Sequence, residues 1–363
     1  KHFHREMPPQ FKWMTYAKFT QDSRAGLIAC DNTFLIIDEA HRLRTPIRKK
    51  QGDEAVQSWL CAKEARKVLL LTATPFVNSM DDLKNLIAIA SSLHMDHTKI
   101  HKMQITSDMV RCLFSYYERS KKDDSFPTED FKMVPIKVGS SSEEYAREYS
   151  AERNKFQSLG DNDAEDLAQG VSRLARLKQL TSTAGSGNPK LEWIERTLRK
   201  YKGDKAKKFV IFNAYVEDGV QRIAKVVKDV GLSYAVISGS TAAATRQRTV
   251  EKYNSGALRV IVLSMGAGGE GLDLKETFMT ILAEPGWNLA TMRQSIGRSV
   301  RFWSHKAGKK AVVHIRLLKL TDDVNNKKTL DDYMLQLHEK KRKEMDMVDK
   351  LLSDMSIEKQ ACG

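Results

Sequence analysis

Short apolar runs, each closed by a charge or a turn former and followed by a stretch with helical spacing, limit this chain to one class of fold. Phe34-Leu35-Ile36-Ile37 and Val68-Leu69-Leu70-Leu71 are two such runs. Continuous hydrophobicity over so short a length is typical of a buried strand in a parallel sheet. Residues 53–66 between them read as a helix, so the segment predicts a βαβ unit. The pattern resumes with apolar strands over 208–212, 234–237, 258–263, 278–283 and 311–317, and with helices over 216–230 and 242–254. The spacing predicts an α/β protein whose mostly parallel sheets are covered by helices.

The expected organisation is a first lobe over residues 1–125, a helical insertion over 126–190, a second lobe over 191–328 and a C-terminal helix within 329–363. Residues 119–131 (RSKKDDSFPTEDF) read as a loop, and 143–158 and 163–180 as charged helices. Thr181–Pro189 (TSTAGSGNP) reads as a flexible junction.

Sixty Lys and Arg against 46 Asp and Glu leave a formal charge of +14, which favours a polyanionic partner. No apolar run reaches the length of a membrane-spanning helix, so no membrane partner is expected. Cys30, Cys61, Cys112 and Cys362 form no CxxC pair. Neither a zinc site nor a disulfide framework is expected, and a reducing, intracellular compartment fits. The first residue is Lys1 and no signal peptide is legible, so the sequence is expected to begin inside a longer chain.

Leu35-Ile36-Ile37-Asp38-Glu39-Ala40-His41 is the strongest local signal: a buried strand ending in two carboxylates. Ligands of open α/β sheets bind at the carboxyl ends of strands. There one carboxylate can hold Mg2+ while its neighbour orients the water attacking a γ-phosphate. Asp38 is assigned to the metal and Glu39 to the water. A bare Asp-Glu pair would read as a solvated turn; four apolar residues followed by DEAH are far more specific. Thr72-Ala73-Thr74-Pro75 closes the next strand.

Gly266-Ala267-Gly268-Gly269-Glu270-Gly271 fits GxGxxG, the dinucleotide fingerprint, and would suggest a nicotinamide or flavin enzyme. That fingerprint needs a helix whose N-terminus faces a pyrophosphate. Only Leu272 to Thr277 separate the loop from the next strand, too few for a crossover helix of about ten residues. A tight turn approached by another backbone, a nucleotide or a nucleic-acid strand is the better reading. In Gln294-Ser295-Ile296-Gly297-Arg298-Ser299-Val300-Arg301, two guanidiniums stand at i and i+3, on one face if the segment is helical. Such forks can clamp phosphate oxygens and stabilise charge developing on a γ-phosphate.

Taken in order, these blocks resemble the superfamily 2 helicase-like ATPases, most of all the SWI/SNF-like branch that includes chromatin remodellers and the poxvirus nucleoside triphosphatase I type. Thr15-Tyr16 looks like the short motif before DEAH, and TATP like the coupling motif. Gly239-Ser240-Thr241 with Arg246-Gln247 and Tyr253-Asn254 is similar to a second-lobe block. Ser264 to Leu274 looks like motif V, and Glu284-Pro285-Gly286-Trp287-Asn288 through Gln294, Arg298 and Arg301 like the approach to motif VI and motif VI itself. Phe126-Pro127, with Leu113 to Tyr117 before it, and Ser304-His305 lean towards members from large DNA viruses.

The resemblance implies two RecA-like lobes, the first incomplete, with ATP between them. Asp38, Glu39, Arg298 and Arg301 would be catalytic. His41, Gly269, Gly271, Asp273 and Gln294 would contact the Mg2+-bound ATP. Thr74, Gly239, Ser240, Thr241, Ser264, Gly266 and Trp287 would contact DNA, duplex rather than single-stranded, mainly at phosphates. The implied activity is an ATP-driven duplex translocase working with transcription or chromatin machinery. The family's phosphate-binding loop, GxxxxGK[ST], does not occur in the sequence, and Gly308-Lys309-Lys310 is no substitute for it. The chain by itself is therefore expected not to hydrolyse ATP. The alternative is a non-catalytic DNA-binding or assembly module of the same fold.

Overall fold

The computed structural model describes residues 10–43, 52–72, 80–91, 97–106, 109, 113–115, 124–157, 175–267, 272–286 and 288–356. The chain divides into two compact units, residues 1–118 with 343–363, and residues 119–342.

In the first unit the order is α1 (Tyr16–Arg24), β1 (Phe34–Ile37), α2 (Gly52–Glu64), β2 (Lys67–Leu70) and α3 (Met80–Ala90). Strands β1 and β2 pair in parallel from Phe34 opposite Lys67 to Ile37 opposite Leu70, which is the expected βαβ unit. Successive strand side chains face opposite ways. Leu35 and Ile37 sink into a core with Ala55, Trp59 and Ala62 of α2 and Leu86 and Ile89 of α3. Phe34, Ile36, Leu69 and Leu71 stay exposed. The expectation of strands buried on both faces thus holds for one face only; helices pack against one side of the pair.

Cys30, in a 3-10 turn ahead of β1, is disulfide-bonded to Cys61 on α2 across a sequence separation of 31. This corrects the expectation of no disulfide. The pairing arises because α2 folds back along β1, which Cys spacing cannot show, and the cysteine pattern no longer argues for a reducing compartment.

In the second unit the order is β3 (Thr128–Lys137), α4 (Glu143–Gln157), α5 (Ala175–Ser182), α6 (Pro189–Lys200), β4 (Phe209–Asn213), α7 (Arg222–Val230), β5 (Tyr234–Ile237), α8 (Ala243–Asn254), β6 (Val260–Ser264), β7 (Met279–Leu282), α9 (Leu289–Ile296), β8 (Val312–Thr321) and the first half of α10 (Leu330–Ser356), whose residues from 343 onward count with the first unit. Six strands form one parallel sheet in the order β3-β8-β7-β4-β6-β5. The central strands β4, β6 and β7 are buried along their whole length, as their apolar runs predict.

Two expectations change here. Residues 128–131, read as loop, open the ten-residue strand β3, which pairs with β8 from Thr128–Val312 to Lys137–Thr321. As an edge strand it is half solvated, carries charges and accommodates Pro135, so it lacks the apolar signature of its neighbours. The TSTAGSGNP segment is a buried, bonded turn rather than a flexible junction. Thr181, Ser182, Thr183, Ala184 and Asn188 are almost wholly inaccessible. Gly185 and Gly187 adopt positive φ, and Asn188 caps α6 by accepting the Lys190 amide at 2.9 Å.

Candidate functional site

The acidic strand end lies where β1 finishes, in the first unit. Ile37 O accepts the Leu71 amide at 2.8 Å, and Leu71 O accepts the Ala40 amide at 2.9 Å, so both strand ends are fixed together. The Tyr16 hydroxyl donates to Asp38 O at 2.7 Å and lies 3.3 Å from Glu39 O. Burial pushes this phenol far above its ordinary range, so it stays a donor. Arg42 stacks on the Tyr16 ring at 4.7 Å. The Thr15-Tyr16 pair therefore has a physical role: Thr15 caps α1, and Tyr16 holds the backbone from which both carboxylates project.

Glu39 has φ of 51°, a left-handed conformation that non-glycine residues seldom adopt outside constrained sites. Its amide is accepted by Asp38 Oδ1 at 2.9 Å. His41 Nδ1 lies 3.3 Å from Glu39 Oε2 and 3.4 Å from Thr72 Oγ1. Thus the carboxylate predicted to orient water is linked through His41 to the end of the next strand. Thr74 lies outside the described residues, as do Gly269, Gly271 and Trp287.

In the second unit the Gly239-Ser240-Thr241 turn follows β5 and Ser264 and Gly266 follow β6, at carboxyl strand ends, whereas Asp273, Arg298 and Arg301 lie in segments bonded to the end of α8 or to the stretch leading into β7. After β5, Gly239-Ser240-Thr241 forms a turn in which Thr241 Oγ1 accepts the Ser238 amide at 3.0 Å. Arg246 of α8 donates to the carbonyls of Ser238 and Gly239 at 3.3 and 3.2 Å. At the far end of α8, Tyr253 bonds Thr277 at 2.9 Å. Asn254 donates to Asp273 O and accepts the Lys275 amide, at 2.9 and 2.8 Å. Helix α8 therefore ties the Gly-Ser-Thr turn to the Asp273 segment. Asp273 also pairs with Lys275 at 3.7 Å. Ser264 is buried, and its hydroxyl faces the Ala267 amide at 3.4 Å, so it shapes the turn from inside; Gly266 beside it borders open space. Residues 272–278 contain no helix, consistent with rejecting the dinucleotide reading.

Sequence reasoning assigned no role to the groups beneath these loops, although Glu284 opens the block read as the approach to motif VI. Asn213, at the end of β4, is fully buried. Its Nδ2 donates to Ser182 Oγ and Thr183 Oγ1 at 2.9 and 3.0 Å, and its Oδ1 accepts the Tyr215 amide at 2.8 Å. Glu284, at the end of β7, is also fully buried and accepts the Ala214 amide at 2.5 Å; its other oxygen has no hydrogen-bond partner among the described residues. Burial raises the Glu284 carboxyl above its usual range, against the pull of Lys178 and Lys190. Lys178 donates to Pro285 O at 3.0 Å, His338 of α10 bonds Gly286 O at 2.6 Å, and Lys190 pairs with Asp331 at 2.7 Å. The segment leading to the arginines is thus fixed by buried polar groups. Only the apolar run preceding each residue could have signalled a strand end there.

The arginines differ from expectation. Helix α9, capped by Asn288, ends at Ile296, before Arg298, so the two guanidiniums do not share a helical face. Gly297 closes the helix, and successive tight turns carry the chain through Arg298 to Arg301. Arg298 is buried, with its carbonyl accepting the Leu274 amide at 3.0 Å. Arg301 is partly exposed and directs Nη1 at Leu272 O, 3.4 Å away. Both lie near the C-terminal end of α9, where the helix dipole favours cations. Gln294 is on the last turn of α9 and partly exposed.

A nucleotide-borne Mg2+ takes one or two carboxylates together with phosphate oxygens, not a complete protein cage. No group of three His, Cys, Asp or Glu among the described residues could hold a metal alone. An exposed Asp38 carboxylate, steadied on one oxygen by the Glu39 amide, fits the former kind of site.

Residues 189–302 match the helicase conserved C-terminal domain family. The chain is 25% identical to an Acanthamoeba polyphaga mimivirus protein provisionally designated an ATP-dependent RNA helicase, over 96% of this chain and 82% of that one. It is 22% identical to nucleoside triphosphatase I of Heliothis armigera entomopoxvirus, over 89% of this chain and 62% of that one. A solved SWI2/SNF2 ATPase C-terminal domain from Sulfolobus solfataricus is similar at 20% identity and a TM-score of 0.41, over 60% of this chain and 86% of that one. The parallel six-stranded sheet with flanking helices is of the α/β class that the sequence predicts. Residues 189–302 thus match a helicase C-terminal domain family, and the relatives of the chain include proteins designated a helicase, a chromatin remodelling factor and a nucleoside triphosphatase I.

Proposed function

We propose that this chain belongs to a nucleic-acid-dependent ATPase that works as a translocase on duplex DNA. The observation that carries the reading is the acidic strand end: Asp38 and Glu39 are held by Tyr16, and Glu39 is linked through His41 to Thr72. In this reading Asp38 would hold the metal, whose chemistry would be to neutralise phosphate charge, and Glu39 would take the proton of the attacking water. Arg298 and Arg301 supply permanent positive charge for the oxygens of the transferred phosphoryl group. The exposed Gly239, Ser240 and Gly266, with the partly exposed Thr241 hydroxyl, offer backbone amides and hydroxyls to nucleic-acid phosphates.

The mimivirus relative is designated an RNA helicase, so RNA is the competing polymer. With no GxxxxGK[ST] loop in the sequence, the chain alone lacks the amides and lysine that cradle phosphates. The deciding experiment measures ATP hydrolysis by this chain with no nucleic acid, with single-stranded DNA, with duplex DNA and with duplex RNA. The expected outcome is no turnover together with duplex DNA binding. Duplex-stimulated turnover would overturn the predicted inactivity. Absence of binding to every polymer would overturn the proposal itself.

A further inference from the structure

The loop after Arg301 is built unlike a core element. Ser304 and His305 are buried and act as its anchors. Ser304 Oγ bonds His305 Nδ1 at 2.9 Å, and His305 Nε2 contacts Thr277 O at 3.0 Å. From the other side the segment before β3 braces the loop: Trp303 N donates to Ser125 O and Lys309 N to Asp124 O, both at 2.9 Å. Gly308 sits so close to this brace that an added Cβ would lie 2.2 Å from Asp124 O.

Above these anchors the two largest side chains of the loop point into solvent. Phe302 is 58% exposed and Trp303 69%. Their rings stack at 5.4 Å with an interplanar angle of 22°, and Phe126 meets Phe302 edge-on at 5.8 Å. Trp303 has φ of 54°, a conformation suited to glycine. A bulky, exposed side chain on a left-handed backbone is disfavoured twice over, and neither cost is offset by core packing. Such an outlier points to use rather than stability. Lys306, Lys309 and Lys310 follow the rings within the same loop and are exposed, Lys309 pairing with Asp124 at 3.6 Å. Within a chain of net charge +14, they make the surroundings attractive to phosphates.

We infer that Phe302 and Trp303 form a stacking platform for an unpaired nucleobase of a nucleic-acid strand, with Lys306, Lys309 and Lys310 facing its backbone. Every base offers a π-face, so such a platform needs no sequence preference, and alternating aromatic and cationic contacts suit a single strand. The stack is already formed and the loop is braced at both ends, so binding orders little. This inference rests on the reading that the chain engages nucleic acid, but not on hydrolysis or on duplex preference.

The test titrates the chain with a short oligothymidylate at low salt, following tryptophan emission and the anisotropy of a labelled strand, with duplex DNA and free ATP in parallel. Trp303→Gly suits the left-handed backbone and keeps the fold; Trp303→Phe keeps an aromatic face. The expected result is quenching by the oligonucleotide that Trp303→Gly abolishes. Strand affinity should fall about tenfold in Trp303→Gly and by much less in Trp303→Phe, with duplex binding unchanged in both. Undiminished strand binding by Trp303→Gly, or equal quenching by ATP alone, overturns the platform while leaving the proposed function intact. Loss of both strand and duplex binding in the unmutated chain would remove the reading on which it rests.

Discussion

Asn213 and Gly219 provide a test in which structure predicts a change of sign. Asn213 makes the three hydrogen bonds described above, and an added Cβ at Gly219 would lie 1.9 Å from its Oδ1, with the next two neighbours also Asn213 atoms. Asn213→Ala removes the acceptor of a backbone amide, which costs about 1–3 kcal/mol if left unsatisfied. It also removes the donor of two hydroxyl contacts worth about 0.5–1.5 kcal/mol each, for a total of about 3 kcal/mol. Gly219→Ala alone must expel the same amide group, so it should cost a similar amount. Combined with Asn213→Ala, the clash has no partner. Gly219 lies in a helical turn at negative φ, so Ala there should then be neutral or stabilising by about 0.5 kcal/mol. Denaturant unfolding of the four proteins in the cycle measures the coupling, expected at about 3 kcal/mol. Equal cost of Gly219→Ala in both backgrounds would refute the claim that Asn213 fixes this strand end.

Three further outcomes follow from other sites. Tyr16→Phe keeps the ring under Arg42 but loses the bond to Asp38 O; unfolding should show a loss of about 1 kcal/mol, and amide exchange at Ala40 and Glu39 should speed up. Reduction, or Cys61→Ser, opens a loop of sequence separation 31 and should destabilise the first unit by about 3.5 kcal/mol, seen as a drop in its unfolding midpoint that reductant produces only in the unmutated chain. Glu284 has a raised carboxyl pKa in the fold, so its contribution is fully present below the ordinary value of 4.5 and is lost as pH rises through the raised one. Glu284→Gln, neutral throughout, should flatten that part of the stability profile; an unchanged slope would show that Glu284 does not titrate there.

What was legible in the sequence was whatever local chemistry alone determines. The runs over 208–212, 234–237, 258–263, 278–283 and 311–317 all lie on strands of one sheet; those of β4, β6 and β7 are continuous because a strand covered on both faces has no polar positions, whereas β8 carries His314 and Arg316 on a partly solvated face. Asp38, Glu39 and the Gly239-Ser240-Thr241 turn lie at strand ends because those runs stop there. What was illegible depended on partners distant in sequence. Strand β3 reads as loop until β8 pairs with it, and the TSTAGSGNP segment reads as a linker until Asn213 bonds its hydroxyls. Spacing of three placed Arg298 and Arg301 on one helical face, whereas Gly297 ends the helix between Gln294 and both of them. Cys30 and Cys61 meet only because α2 returns along β1.

The central claim is that the chain grips the phosphates of a nucleic acid, and a salt titration of binding to a labelled DNA duplex tests it most directly. The account predicts binding at about 50 mM salt that weakens along a straight line in log–log coordinates, with a slope near −4 for roughly four neutralised phosphates. Binding should also be indifferent to the sequence of the duplex. No binding at low salt, or binding that salt does not weaken, would contradict it.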